Sequence, residues 1–182
     1  VFDNLITLSA DKVEMYPTET ATFTAALEGD FEGIDLVWKV NGETVEGSEE
    51  TLTLTGLQPG TYEVQCIGGT AESNVVTLTV KQPEIVISSP KGAYLIGETA
   101  TFEATVKGLA ETDTLTWYVN DNETSTTGKT FSLEITDTYK GGDMIEIKVK
   151  SASGVESKEY TISVAADILA KLEADENWTN VY

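Results

Sequence analysis

A block of sequence returns after 79 positions, and this repeat constrains the chain more than any other feature. Thr20-Ala21-Thr22-Phe23-Thr24-Ala25 recurs as Thr99-Ala100-Thr101-Phe102-Glu103-Ala104, and Leu36-Val37-Trp38-Lys39-Val40-Asn41 as Leu115-Thr116-Trp117-Tyr118-Val119-Asn120. Ile6-Thr7-Leu8-Ser9 matches Ile85-Val86-Ile87-Ser88 in the same register. Further on the offset widens to 84, with Val76, Leu78 and Val80 answering to Tyr160, Ile162 and Val164. The second copy therefore carries about five extra residues in its middle loops, where insertions are best tolerated. A unit this long is a duplicated domain, not a solenoid turn. Pro83 cannot donate to a sheet, so the junction falls near Lys81-Gln82-Pro83. The domains expected are residues 1–81 and 82–165, followed by a tail over 166–182.

Within each copy the periodicity is two. Thr20–Ala25, Leu52–Thr55, Tyr62–Cys66 and Thr77–Val80 alternate apolar with polar, as strands with one buried face must. Turn signals separate them at Asn41-Gly42, Gln58-Pro59-Gly60, Gly68-Gly69 and Gly141-Gly142. About seven short strands in roughly 80 residues is the spacing of a Greek-key β-sandwich. The expected class is all-β: two tandem sandwiches plus a short C-terminal helix. The single Cys66 permits no intrachain disulfide, so each sandwich must hold by core packing. On an alternating strand Cys66 reads as a small buried hydrophobe.

Composition narrows the chemistry. The 182 residues include 31 Asp and Glu against 11 cations, all of them Lys, and no His. Without His or Arg the chain lacks the usual general base near neutral pH and the bidentate phosphate clamp. Lone carboxylates such as Asp30 with Glu32, or Glu49 with Glu50, sit in turn-rich segments and read as solvated surface. No catalytic, cofactor-binding or metal-binding residue is assigned. Asp30, Glu32 and Asp35, and the run Asn120–Glu123, offer hard oxygen ligands but do not fit the Asp-x-Asp-x-Asp-Gly calcium template. A net charge of −20 opposes nucleic acid and anionic lipid surfaces. No apolar run approaches the roughly 18 residues of a membrane helix, so neither nucleic acid nor membrane insertion is expected.

The charge is uneven. Residues 1–82 carry a net −11, 83–165 a net −6 and 166–182 a net −3. After Val164 the alternation gives way to Ala165-Ala166-Asp167-Ile168-Leu169-Ala170-Lys171-Leu172, in which Asp167 is placed to cap a helix with Ile168, Leu169 and Leu172 on one face. Trp178, Val181 and Tyr182 follow. A helix of about two turns is marginal alone in water and must dock. Either it packs on the end of its own second domain, or its apolar and aromatic residues anchor a partner surface.

Several residues carry a family resemblance. Trp38 and Trp117 resemble the third-strand core Trp of the immunoglobulin (Ig) fold. Gly60-Thr61-Tyr62-Glu63-Val64 resembles the Gly-x-Tyr-x-Cys stretch of its sixth strand, with Tyr62 in the tyrosine-corner place. Val64 stands where the disulfide Cys would be, so the copies look like disulfide-free bacterial and phage Ig-like domains. The second copy lacks the corner pattern, and its sixth strand is expected through Ile145, Ile147 and Val149. Phe23, Trp38, Tyr62, Phe102 and Trp117 are the expected structural core.

Gly97–Phe102, Thr116–Asp121 and Thr130–Leu133 are, further, similar to repeats of the Hoc-like outer capsid decoration proteins of tailed phages. That resemblance implies a non-enzymatic virion-surface protein, anchored on the capsid by its C-terminal part. The partner-binding candidates are then Ile168, Leu169, Leu172, Trp178, Val181 and Tyr182, and the acidic first domain would face outward and make weak contacts with the host surface. The opening residues show no secretory signal, and Val1 is a residue before which an initiator Met is readily removed; both fit such a protein. The alternative is a bacterial cell-surface or secreted Ig-like stalk or adhesin module.

Overall fold

The computed structural model describes residues 3–46 and 50–166. These divide into two compact units. The first runs to Pro83 and takes in Gly108–Ala110; the second comprises Glu84–Lys107 and the chain from Glu111.

In the first unit, strands β1 (Leu5–Ala10), β3 (Thr20–Glu28) and β6 (Thr51–Thr55) form one antiparallel sheet in the order β1-β3-β6. The opposing sheet runs β2 (Glu14–Met15), β9 (Val76–Val80), β7 (Gly60–Gly68), β4 (Leu36–Val40), β5 (Glu43–Val45), and β8 (Ala71–Glu72) pairs with β7. Consecutive strands β3 and β4, and again β6 and β7, change sheets, which is the Greek-key crossover of a sandwich. The β2–β9 pair is parallel, so the first edge of the chain switches from one sheet to the other between Ala10 and Glu14.

The second unit repeats this plan. Strands β10 (Glu84–Ser88), β12 (Thr99–Lys107) and β15 (Thr130–Glu134) make one sheet. The other runs β11 (Ala93–Tyr94), β17 (Tyr160–Val164), β16 (Met144–Ser151), β13 (Leu115–Val119), β14 (Asn122–Thr127). The sixth strand passes through Ile145, Ile147 and Val149, all fully buried. Pairing locates the inserted residues. Trp38 faces Cys66 and Trp117 faces Val149, an offset of 83 on the sixth strand. Four of the extra residues therefore lie between β15 and β16, and one lies between β16 and β17.

Alternation builds both cores. On β3 and β12 the buried residues are Ala21, Phe23, Ala25 and Ala100, Phe102, Ala104, with polar residues between them on the outer face. Trp38 and Trp117 are fully buried. Cross-strand Thr20–Thr55, Thr22–Thr53 and Thr24–Thr51 pairs pave the outer face of the first sheet, where β-branched residues suit the pleat.

One expectation changes, and another falls outside the described residues. Tyr62 is half-buried and packs against the core from its margin, because its ring must let the hydroxyl reach the backbone at the surface. No described residue is helical: the short C-terminal helix, with Ile168, Leu169, Leu172, Trp178, Val181 and Tyr182, lies outside the described residues.

Candidate functional site

The loops that gather polar groups are closed by the chain's own backbone. Asn41 at φ 53° and Gly42 at φ 81° form the two-residue link between β4 and β5, and Asn120 (φ 47°) with Asp121 (φ 61°) links β13 to β14. These are the left-handed positions of a type I′ hairpin. Asn41 accepts the Glu63 N–H on Oδ1 at 2.8 Å while its own N–H bonds the Glu63 carbonyl. Asn120 does the same with Glu146, at 2.9 Å. The Asn side chains thus pin each hairpin to the sixth strand.

The Asp121 carboxyl is held below its ordinary pKa, first by its bond from Lys148 Nζ at 2.8 Å. Lys148 is raised in turn, chiefly by that same bond, with Glu159 as a further partner at 3.6 Å. The Asp30 carboxylate accepts the N–H of Glu32 at 3.1 Å and its N–H donates to Asn4 Oδ1, so the Asp30–Asp35 loop is organised as a turn. Among the described residues no group of three or more Cys, Asp or Glu side chains is placed to hold a metal ion.

Cys66 is fully buried, its thiol pushed up by burial, and its backbone N–H is taken by Ser73 Oγ. A buried thiol held protonated is inert. The two buried Trp rings form the hub of each core. In the second domain Trp117 is fully buried and donates its indole N–H to the Gly128 carbonyl at 2.8 Å.

A feature the sequence reasoning missed is a turn closed by a carboxylate. Tyr16-Pro17-Thr18-Glu19 and Leu95-Ile96-Gly97-Glu98 each end with Glu accepting the N–H of the residue three before it, at 2.7 and 2.8 Å. Glu98 is held low, chiefly by the bond from Lys91 at 2.5 Å. The signal was available: Glu19 and Glu98 stand 79 apart.

This second turn presents apolar side chains to solvent. Leu95 and Ile96 are exposed, as is Met144 at the start of β16. Ala93, Ser163 and Met144 lie in one row across β11, β17 and β16. The last described residues leave from the middle of that row. The Ala165 N–H donates to the Tyr94 carbonyl, and Ala166 lies against Gly141 so closely that a Cβ there would come within 2.7 Å of its Cα. The described chain thus ends at the edge of the second domain that carries the exposed side chains of Leu95, Ile96 and Met144.

Strand order, paired sheets and core place the chain in the class of tandem Ig-like domains built without disulfides. No family model and no curated protein matches it. Among solved structures it is similar to three N-terminal domains of the highly immunogenic outer capsid protein (Hoc) of bacteriophage RB49, with 15% identity and a TM-score of 0.46 over 90% of this chain and 59% of that one. It is similar to the Yersinia pseudotuberculosis adhesin InvE at 14% identity and a TM-score of 0.35, covering 87% of this chain and 58% of that one. The I9–I11 tandem of titin matches at 22% identity and a TM-score of 0.40, over 90% and 65% respectively. The chain thus spans about three fifths of the length of the phage structure. At these identities the likeness concerns the fold, which proteins of unrelated function share.

Proposed function

We propose that this chain is a non-enzymatic structural and binding protein, a capsid decoration protein of a tailed phage that projects Ig-like domains from the virion surface and is anchored through its C-terminal part. The observation that carries the reading is the Hoc-like pattern Gly97–Phe102, Thr116–Asp121 and Thr130–Leu133. Its segments fall on β12, β13 and β15, around one core. The absence of His and Arg argues against an enzyme, since acid–base and phosphoryl-transfer chemistry would have to run on Lys and carboxylates alone. The charge supports an orientation: the first domain at −11 is strongly solvated and self-repelling, as suits the outward end. The aromatic residues Trp178 and Tyr182 sit at the opposite end of the sequence and are the kind of side chain that anchors an interface.

Co-sedimentation of the full chain with a panel of tailed-phage capsids stripped of their decoration protein tests this. Saturable pelleting with one capsid type is expected, weakened about tenfold or more by Trp178→Ala with Tyr182→Ala. Failure to pellet with any of them, together with binding to bacterial envelopes, would overturn the capsid reading in favour of a bacterial surface stalk or adhesin.

A further inference from the structure

Of the chain's seven Asn residues only Asn41 is followed by Gly. That pair carries a reaction of its own, because a Gly nitrogen, with no Cβ beside it, is the least crowded backbone nucleophile a chain offers. The Gly42 nitrogen, once solvent base has taken its proton, attacks Asn41 Cγ. The Cγ–Nδ2 bond breaks, ammonia leaves, and a five-membered succinimide remains. Water then opens either ring carbonyl and gives Asp or isoAsp. The balance is one water taken up and one ammonia released.

The fold opposes this reaction at its first step. The ring requires Cβ and the next nitrogen to be eclipsed about the Cα–C bond. Asn41 has φ 53°, and a left-handed residue has ψ of about +47°, which places the Gly42 nitrogen nearly opposite Cβ. The carboxamide is also tethered elsewhere, since Oδ1 accepts the Glu63 N–H at 2.8 Å. Ring closure therefore needs rotation of the Asn41–Gly42 peptide. Val40 pairs with Glu43 directly across the turn, so that rotation means opening the β4–β5 hairpin. β5 is a three-residue edge strand, held by β4 and by the half-buried Val45, which packs against the core. An element of that size opens far more readily than a whole domain.

The second domain supplies a matched case. Asn120 has φ 47° and accepts the Glu146 N–H in the same way, but its neighbour is Asp121. There the attacking nitrogen has a side chain beside it and a carboxylate that opposes loss of the N–H proton. We propose that Asn41 is a modification site gated by the β4–β5 hairpin: it deamidates only through the opened turn, and Asn120 does not follow it. The isoAsp product adds a backbone methylene to a two-residue turn whose length sets the register, so β5 cannot pair again as before. Modification thus records opening of the first domain's edge irreversibly, and the second domain keeps no such record.

The test is the deamidation rate in the full chain at mildly alkaline pH, read by peptide mapping with the Asp and isoAsp products separated by chromatography. Asn41 is expected to convert about tenfold or more slowly than in the free peptide spanning residues 36–45. Val45→Ala loosens β5 without touching the reacting atoms and should speed Asn41 about threefold or more, with Asn120 unchanged. Low urea should alter the native Asn41 rate only slightly, because opening a hairpin exposes little surface. Asp121→Gly places the same dipeptide in the second hairpin; Asn120 should then convert, again more slowly than in its own free peptide. A native Asn41 that converts at the peptide rate overturns the gate. So does an Asn41 rate that Val45→Ala leaves unmoved, and so does a urea dependence as steep as that of whole-domain unfolding, because the route would then not pass through the hairpin.

Discussion

The two domains fill one backbone plan with different chemistry. In the second, Phe102, Trp117 and Phe131 lie with ring centroids 5.4–6.3 Å apart, and Tyr160 meets Phe102 edge-on at 6.2 Å. In the first, the positions of Phe131 and Tyr160 hold Leu52 and Val76. A second exchange follows the same logic. Met15 is fully buried in the first domain, and its counterpart Tyr94 is fully buried in the second. A buried phenol needs a partner where a thioether does not, and Ser89 stands where the first domain has Ala10. Tyr94 Oη lies 2.8 Å from Ser89 Oγ, and Ser89 donates to the Thr101 carbonyl at 2.8 Å, which leaves Tyr94 as the donor between them. The paired change shows that divergence proceeded by matched substitution at core positions while the hydrogen-bonded frame stayed constant.

The aromatic hub is where that comparison breaks most visibly. Trp117→Ala removes a fully buried ring from a three-ring stack and leaves the Gly128 carbonyl without its donor; a loss of about 3–5 kcal/mol is expected in the second domain. A milder exchange makes the point sharper. Phe131→Leu gives the second domain the residue of the first and should cost about 1–2 kcal/mol through the lost ring contacts. Leu52→Phe, the converse, should also destabilise, by about 1–3 kcal/mol, because the first core is packed for Leu. Peptide-resolved hydrogen exchange under denaturant separates the two domains. If Leu52→Phe stabilised the first domain, the matched-core view would be wrong.

Next come the Asn residues that both domains keep. Asn41→Ala strips an acceptor from the Glu63 N–H and places a side chain poorly suited to φ 53° in the turn; Asn120→Ala does the same at Glu146. Each should cost about 1–2 kcal/mol, and nearly the same in its own domain. A large inequality would mean that the hairpins are not equivalent, despite their shared geometry.

These Asn residues also show what was legible in the sequence. Alternation and the 79-residue register exposed the strands, the hub residues Phe23, Trp38, Phe102 and Trp117, and the path of the sixth strand through Ile145, Ile147 and Val149. Those features depend on burial, which imprints a period on the chain. Polar pins carry no period. Asn41 and Ser73 each serve a backbone group on a strand that the fold brings near, and Glu19 closes a turn on the residue three before it. Yet Glu98, Asn120 and Ser157 repeat their roles, so identity of polar residues between the copies was a readable sign of a structural bond. The two-residue strands β2 and β11 were illegible for a different reason: their parallel partners lie some 65 to 70 residues away along the chain. The anchor candidates could be named but not placed, since they lie beyond the last described residue.

A smaller effect isolates a bond that only the first domain makes. Tyr62 Oη donates to the Gln58 carbonyl at 2.8 Å, four residues upstream, which is the tyrosine-corner contact. Pairing puts Ile145, fully buried and without a hydroxyl, at the same place in the second domain. Tyr62→Phe should therefore lower the stability of the first domain by about 1 kcal/mol and leave the second unchanged in equilibrium unfolding. No change in the first domain would reduce the corner to a packing feature.

The smallest expected effects are the response of the second domain to acid and that of the first to salt. Asp121 and Glu98 have depressed pKa values caused by Lys148 and Lys91. A carboxyl whose folded pKa lies below its unfolded value contributes stability that is present above the unfolded value, about 4, and is lost as the pH falls through the folded one. The second domain should thus hold its stability from neutral pH to about pH 4 and weaken below it. The first domain carries 14 acids against 3 Lys over residues 1–82, so at neutral pH it is strained mainly by its own repulsion. Added salt screens that repulsion, and the melting temperature of the first domain at pH 7 should rise modestly with it. Asp121→Asn should flatten the acid limb of the second domain and leave the first untouched. If salt left the melting temperature of the first domain unchanged, its net charge would have no energetic consequence, and the acidity of the first would have to be explained by what it meets outside the chain.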